Sequence, residues 1–139
     1  MCLRKIIASS LFLSCLAVLS QGHSETVLTC PSAADVQALI NIWPHGSWLP
    51  LYERNQELVS EKDRLHFSQS VTQFVGAEWN PNYPEAGHCF YRGSDTVILA
   101  KSMLKPDPVQ YTHWHLANNL SSVHCLSSNE NDCPFGGIG

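Results

Sequence analysis

The apolar positions of the chain fall into runs of different period, and each predicts a different element. The first run, "IIASSLFLSCLAVLS" from Ile6 to Ser20, carries no charge and follows Arg4 and Lys5. A basic start followed by a short apolar stretch is the pattern of a secretory signal peptide. The run is shorter than the roughly 20 residues needed to span a bilayer. Gly22 and Ser24 provide small residues for a cut before Glu25, and a cut nearer Leu19 to Gly22 fits as well. An uncleaved signal anchor is the alternative. Cys15 is followed by the apolar "LAVLS", which argues against lipidation there.

In "CPSAADVQALINIW" the apolar residues Val36, Leu39, Ile40 and Trp43 fall at i, i+3, i+4 and i+7, the spacing of one helix face. Ser32 can cap this helix, with Asp35 three residues on. Pro44 and Gly46 stop it. "SWLPLYE" reads as extended but interrupted by Pro50, an edge strand at best. "RNQELVSEKDRLHF" is polar and charged and reads as a loop with a helical turn, or as a solvated hairpin. From Phe67 the period changes: Phe67, Val71, Val75, Ala77 and Trp79 share one parity, which predicts one long strand or two joined by a bend.

"HCFYRGSDTVILAK" gives the clearest hairpin, two β-rich runs around "RGSD", the second nearly all apolar and therefore central. "VQYTHWHL" alternates. As a strand it places Thr112, Trp114 and Leu116 on one face and Tyr111, His113 and His115 on the other. These runs predict an α+β fold, one N-terminal helix packed on a small, mainly antiparallel sheet of about four to five strands. Residues 1–24 are read as the signal and 25–139 as one small domain.

Charge and cysteine content narrow the function. After residue 24 the chain keeps six basic against twelve acidic residues, a formal charge of −6. Without a basic cluster it is poorly suited to phosphate backbones, so nucleic acid is excluded as a partner. Acidity favours a basic partner surface, through steering more than through affinity. Cys2 and Cys15 leave with the signal, and Cys30, Cys89, Cys125 and Cys133 remain. An even number in a short exported chain reads as a disulfide framework. Of three possible connectivities, Cys30–Cys89 and Cys125–Cys133 are favoured, the second closing "CLSSNENDC". A Cys/His metal knuckle, suggested by His88-Cys89 and His124-Cys125, lacks any C-x-x-C spacing.

Candidate sites are sparse. His113 and His115 could grip one metal ion from a strand face, with His88, His124 or a carboxylate as further ligands. The bland reading is a water-facing strand surface with Trp114 in the core, and it is the preferred one; no metal and no cofactor is assigned. Of the four tryptophans, Trp48, between Gly46 and Pro50, is the one expected at a surface, and with Tyr111, His113 and His115 it makes up the candidate binding set. "YPEAGH" and "KPDPVQY" are candidate contact loops. Glu78 and Glu85 flank a loop as a glycosidase pair would, but scattered carboxylates are usual on an acidic surface. G-x-S-x-G, H-E-x-x-H and a phosphate-binding glycine loop are all missing, and paired cysteines leave no thiolate.

The order of features also carries a resemblance: a signal peptide, Cys30-Pro31 opening a short helix, a tryptophan, the "HCFYR…VILAK" hairpin, a late tryptophan and a two-cysteine C-terminal loop. It resembles small exported gammaproteobacterial proteins of unknown function, and among them is similar to periplasmic accessory proteins of the type IVB (Dot/Icm) secretion system, the EirA type. That resemblance implies a non-enzymatic periplasmic role against another envelope or secretion-system protein, without stable membrane insertion. A secreted inhibitor or effector acting on a host or competitor protein, in the manner of a lysozyme inhibitor, is the alternative. A metal-dependent hydrolase using His113 and His115 is a distant third.

Overall fold

The computed structural model describes residues 27–119 and 121–136. The N-terminal apolar run and the cleavage expected before Glu25 lie outside these residues. Two short strands, β1 (Val27–Leu28) and β8 (Phe135–Gly136), pair antiparallel and bring the two ends of the described chain together. The main sheet is built from β2 (Leu49–Tyr52), β3 (Gln73–Trp79), β4 (Gly87–Arg92), β5 (Val97–Lys101), β6 (His115–Leu116) and β7 (Val123–Leu126). Their order is β2-β5-β4-β3-β7-β6, and every neighbouring pair is antiparallel. The fold is α+β with six strands in this sheet, rather than four or five.

Among the described residues there are two α-helices rather than one. The first, α1 (Ala33–Gln37), starts as expected, with the Ser32 hydroxyl accepting from the Asp35 N–H. It is much shorter than its apolar spacing predicts. Leu39 and Asn41 take positive φ, 56° and 61°, so the helical path ends before Ile40 and Trp43 can join its buried face. Asn41 and Trp48 instead close a loop, the Trp48 N–H donating to the Asn41 carbonyl. Gly46 is packed so tightly against Asn41 that a β-carbon would lie 2.1 Å from its backbone.

The second helix, α2 (Glu61–Ser70), occupies the stretch read as a loop or hairpin and takes over Phe67, the expected start of a strand. Its weak amphipathicity hid it, since only Phe67 and Ser68 are buried. The missed signal was the cap. Ser60 accepts from the Asp63 N–H, the same Ser-x-x-Asp arrangement as at Ser32. The strand then begins at Gln73, and a bulge at Val75 breaks the expected parity: Phe74 pairs with Tyr91, and Gly76 with Phe90. Phe74 and Ala77, three apart, therefore both reach the core.

Because side chains alternate across a sheet, its two faces can be read from the register. The row Pro50–Leu99–Cys89–Ala77–Cys125 lies on the inner face. All five are buried, and Leu99, Cys89, Ala77 and Cys125 join Val36 of α1 and Phe67 of α2 in the main core. Two disulfides fasten this layer, Cys30–Cys89 and Cys125–Cys133, in the favoured connectivity. The adjacent row, Leu49–Ala100–His88–Glu78–His124–His115, lies on the outer face.

Candidate functional site

The outer face carries a small apolar cluster of its own, Leu51, Ile98 and Ala100 packed with Leu49 and Phe90, all from strands. No helix residue joins it, yet Leu51, Ile98 and Ala100 are already buried. Gly76 pairs with Phe90 on one side and with Leu126 on the other. With no side chain at Gly76, a notch of about 290 Å³ opens between them, bordered also by Val75, Glu78 and His124. Leu126 is 79 % exposed at its far wall. On the other side of Phe90 a second hollow of about 300 Å³ shares Val75 and reaches Ile98, Asp95 and Glu53. Glu53 and Asp95 in turn line a third hollow, about 660 Å³, with Tyr52, Arg54, Thr96 and Tyr83. The three share lining residues and form one run from β7 past Phe90 to the β4–β5 turn and the end of β2.

In this run the two hollows beside Phe90 have mainly apolar walls, the third is lined by Tyr52, Tyr83 and Thr96, and the charged lining residues are mostly acidic. Glu53, Asp95 and Glu78 stand along it, and Arg54 is the one lysine or arginine among the described residues lining it. That guanidinium is drawn over the Tyr52 ring, 5.7 Å from its centroid. Beside the run, His88 is buried under the Tyr83 ring, with the edge of Phe90 against it. Its Nε2 has no hydrogen-bond partner among the described residues. Burial lowers the imidazole pKa below its ordinary value, and the Glu78 carboxylate and a hydrogen bond to the Glu85 backbone only partly oppose this. His88 is therefore a neutral ring supporting the face.

The residues singled out in the sequence fall elsewhere. Trp48 is buried, not at a surface: it packs edge-on against Phe135 at 6.0 Å, and Lys101 covers its ring. Trp43 is the exposed tryptophan of that pair, because the Asn41–Trp48 loop turns it outward. Trp114 is buried as expected and donates its Nε1–H to the Pro134 carbonyl at 2.7 Å. The strand expected around it is only His115–Leu116, and Tyr111 to His113 form a turn, so Tyr111, His113 and His115 do not share a strand face. Tyr111 is half-buried against the core, and His113 is exposed.

His115 stands opposite His124 instead, and Glu78 flanks His124 on its other side. Among the described residues no group of three or more His, Cys, Asp or Glu side chains is placed to hold one metal ion. Glu85 accepts a hydrogen bond from the Ser102 hydroxyl at 2.6 Å. The signals that could have found the outer face were Gly76 within an apolar strand and the alternation His88, Phe90 in "HCFYR".

No known protein family matches the chain, and no curated protein or solved structure matches it either.

Proposed function

We propose that this protein is a non-enzymatic binding module that contacts another envelope or secretion-system protein through the outer face of its sheet. One observation carries the reading: the outer face is hollowed on both sides of half-buried Phe90, and the apolar Leu126 stands exposed at the wall of the Gly76 notch. A face of this kind gains free energy by being covered, at roughly 25 cal/mol per Å² of apolar surface removed from water. Two disulfides support an oxidising, extracytoplasmic compartment. No helix among the described residues is long and apolar enough to cross a membrane. The expected signal peptide and the resemblance to secretion-associated periplasmic proteins supply the envelope setting.

A photo-crosslinking amino acid placed at Phe90, and as a control at Leu65 on exposed α2, tests this in cells that express the full chain. Position 90 should label one envelope protein reproducibly and position 65 should not. Equal labelling from both positions, or none from position 90, defeats the reading. Recovery of the protein from the culture medium, with no cellular crosslink, would favour the secreted-inhibitor alternative instead.

A further inference from the structure

The outer-face run has a shape and a charge that specify its occupant more narrowly. It crosses β7, β3, β4, β5 and the end of β2, five strands in the order of the sheet. At about 4.8 Å between strands this is roughly 19 Å, the length of about six extended residues. The Gly76 notch sits towards one end and has room for one aliphatic side chain between Phe90 and Leu126. The notch is a built feature of the backbone. A β-carbon at Gly76 would lie 2.7 Å from the Cys125 carbonyl oxygen, so that carbonyl crowds any side chain at this position.

Charge is arranged around the notch rather than within it. Glu78 stands beside the notch, and Asp95 and Glu53 lie beyond Phe90. The one cation lining the run is held over Tyr52. Elsewhere Arg64 lies over Trp43, Lys101 over Trp48 and Lys105 over Trp79, all at 5.5–5.9 Å, whereas exposed Arg92, two residues past Phe90 on β4, stands on the same face as Phe90. Three carboxylates against one guanidinium therefore line the run, with Arg92 near its edge, in a chain whose formal charge after residue 24 is −6.

We infer that the outer face is a groove for an extended, basic segment of a partner protein, with one aliphatic side chain in the Gly76 notch and lysine or arginine side chains towards Glu78 and towards Asp95 and Glu53. The inference rests on the proposed docking role of this face and names the chemistry of what docks. In an extended segment, residues two apart face the same side. A Lys-x-Leu-x-Lys pattern presents all three groups to the sheet together.

The test titrates the isotopically labelled, oxidised protein with the peptide Ac-Lys-Ser-Leu-Ser-Lys-Ser-amide, and separately with the charge-reversed Ac-Glu-Ser-Leu-Ser-Glu-Ser-amide, following backbone amide shifts by NMR. The basic peptide should shift Gly76, Phe90 and Leu126, weaken as salt is raised, and bind about tenfold less tightly to the Glu78→Gln/Asp95→Asn variant. The acidic peptide should leave these amides in place. If both peptides shift the notch equally, or the double variant binds the basic peptide undiminished, the basic class is wrong while the docking face stands. If neither peptide shifts the notch, or shifts appear only elsewhere, both the occupant and the docking face are overturned.

Discussion

The Tyr83 ring lies 4.9 Å from the His88 ring, tilted by 36°, and the imidazole beneath it is 2 % exposed. The ring that closes over His88 also lines the largest of the three hollows described above, so the state of the histidine is tied to the shape of the groove. Burial disfavours the charged imidazolium, and the folded-state pKa lies below the unfolded value. In acid the unfolded chain then takes up a proton that the folded protein resists. The stability associated with His88 is complete above an unfolded pKa of about 6.5 and declines as pH falls from there towards the folded value. Urea unfolding between pH 7.5 and 5.5 should show a loss of stability towards acid. His88→Phe should flatten that slope, by at most about 1.4 kcal/mol per pH unit, the limit for one proton. Identical slopes in the two proteins would mean that His88 protonates freely in the folded state.

The two disulfides should differ in worth because the chain segments they close differ in length. Cys30 and Cys89 are 59 residues apart, Cys125 and Cys133 only 8. In the chain-entropy account these correspond to about 4 and about 2.5 kcal/mol. The double variant Cys30→Ala/Cys89→Ala should lose more stability than Cys125→Ala/Cys133→Ala when urea midpoints are compared. All four side chains are buried, so the voids left behind are of one kind and do not decide the order. A larger loss from the short ring would show that local packing around Cys125 outweighs loop closure.

Within "THWH" the tryptophan should carry the structural weight and the histidines little of it. Trp114→Phe keeps most of the ring but leaves the Pro134 carbonyl without its donor, a loss of about 1–2 kcal/mol. His113→Ala and His115→Ala remove exposed side chains and should stay within about 0.5 kcal/mol of the parent. Thermal unfolding of the three variants would check the order. A His113→Ala loss as large as that of Trp114→Phe would refute it.

Much of this architecture was legible because it rests on local rules. The Ser32 cap, the β4–β5 hairpin, the edge position of β2, the buried Trp114 and the cystine pairs all follow from spacing or from the parity of short runs. What escaped was set by long-range packing. Ile40 and Trp43 have helical spacing, but the positive φ at Leu39 and Asn41 is fixed by the loop that returns to Trp48. The burial of Trp48 depends on Phe135, 87 positions away, reached only because β1 and β8 close the ends. The outer face was not visible for a related reason. Phe90, Gly76 and Leu126 become neighbours only once β4, β3 and β7 are in register, and a one-residue bulge at Val75 sets that register.

The turn between β4 and β5 supplies the last prediction. Gly93 follows Arg92 with φ at +100°, where a side chain is strained. A β-carbon there would lie 2.0 Å from the Ser70 carbonyl oxygen and 3.3 Å from the Val71 α-carbon. The C-terminal end of α2 is thus seated directly on the hairpin turn, and the Thr72 N–H bonds the Arg92 carbonyl at 2.9 Å to keep it there. Neither the helix end nor the turn can yield without moving the other, so Gly93→Ala should cost more than about 1 kcal/mol for backbone strain, with roughly 1–3 kcal/mol more for the overlap. Ser94→Ala, one residue on, meets neither constraint and should fall within about 0.5 kcal/mol of the parent. Because the same turn leads into Asp95 and Thr96, which line the outer-face run, Gly93→Ala should also weaken whatever the face binds. Urea midpoints of the two variants test the structural half. A Gly93→Ala variant as stable as the parent would show that α2 is not seated on the turn.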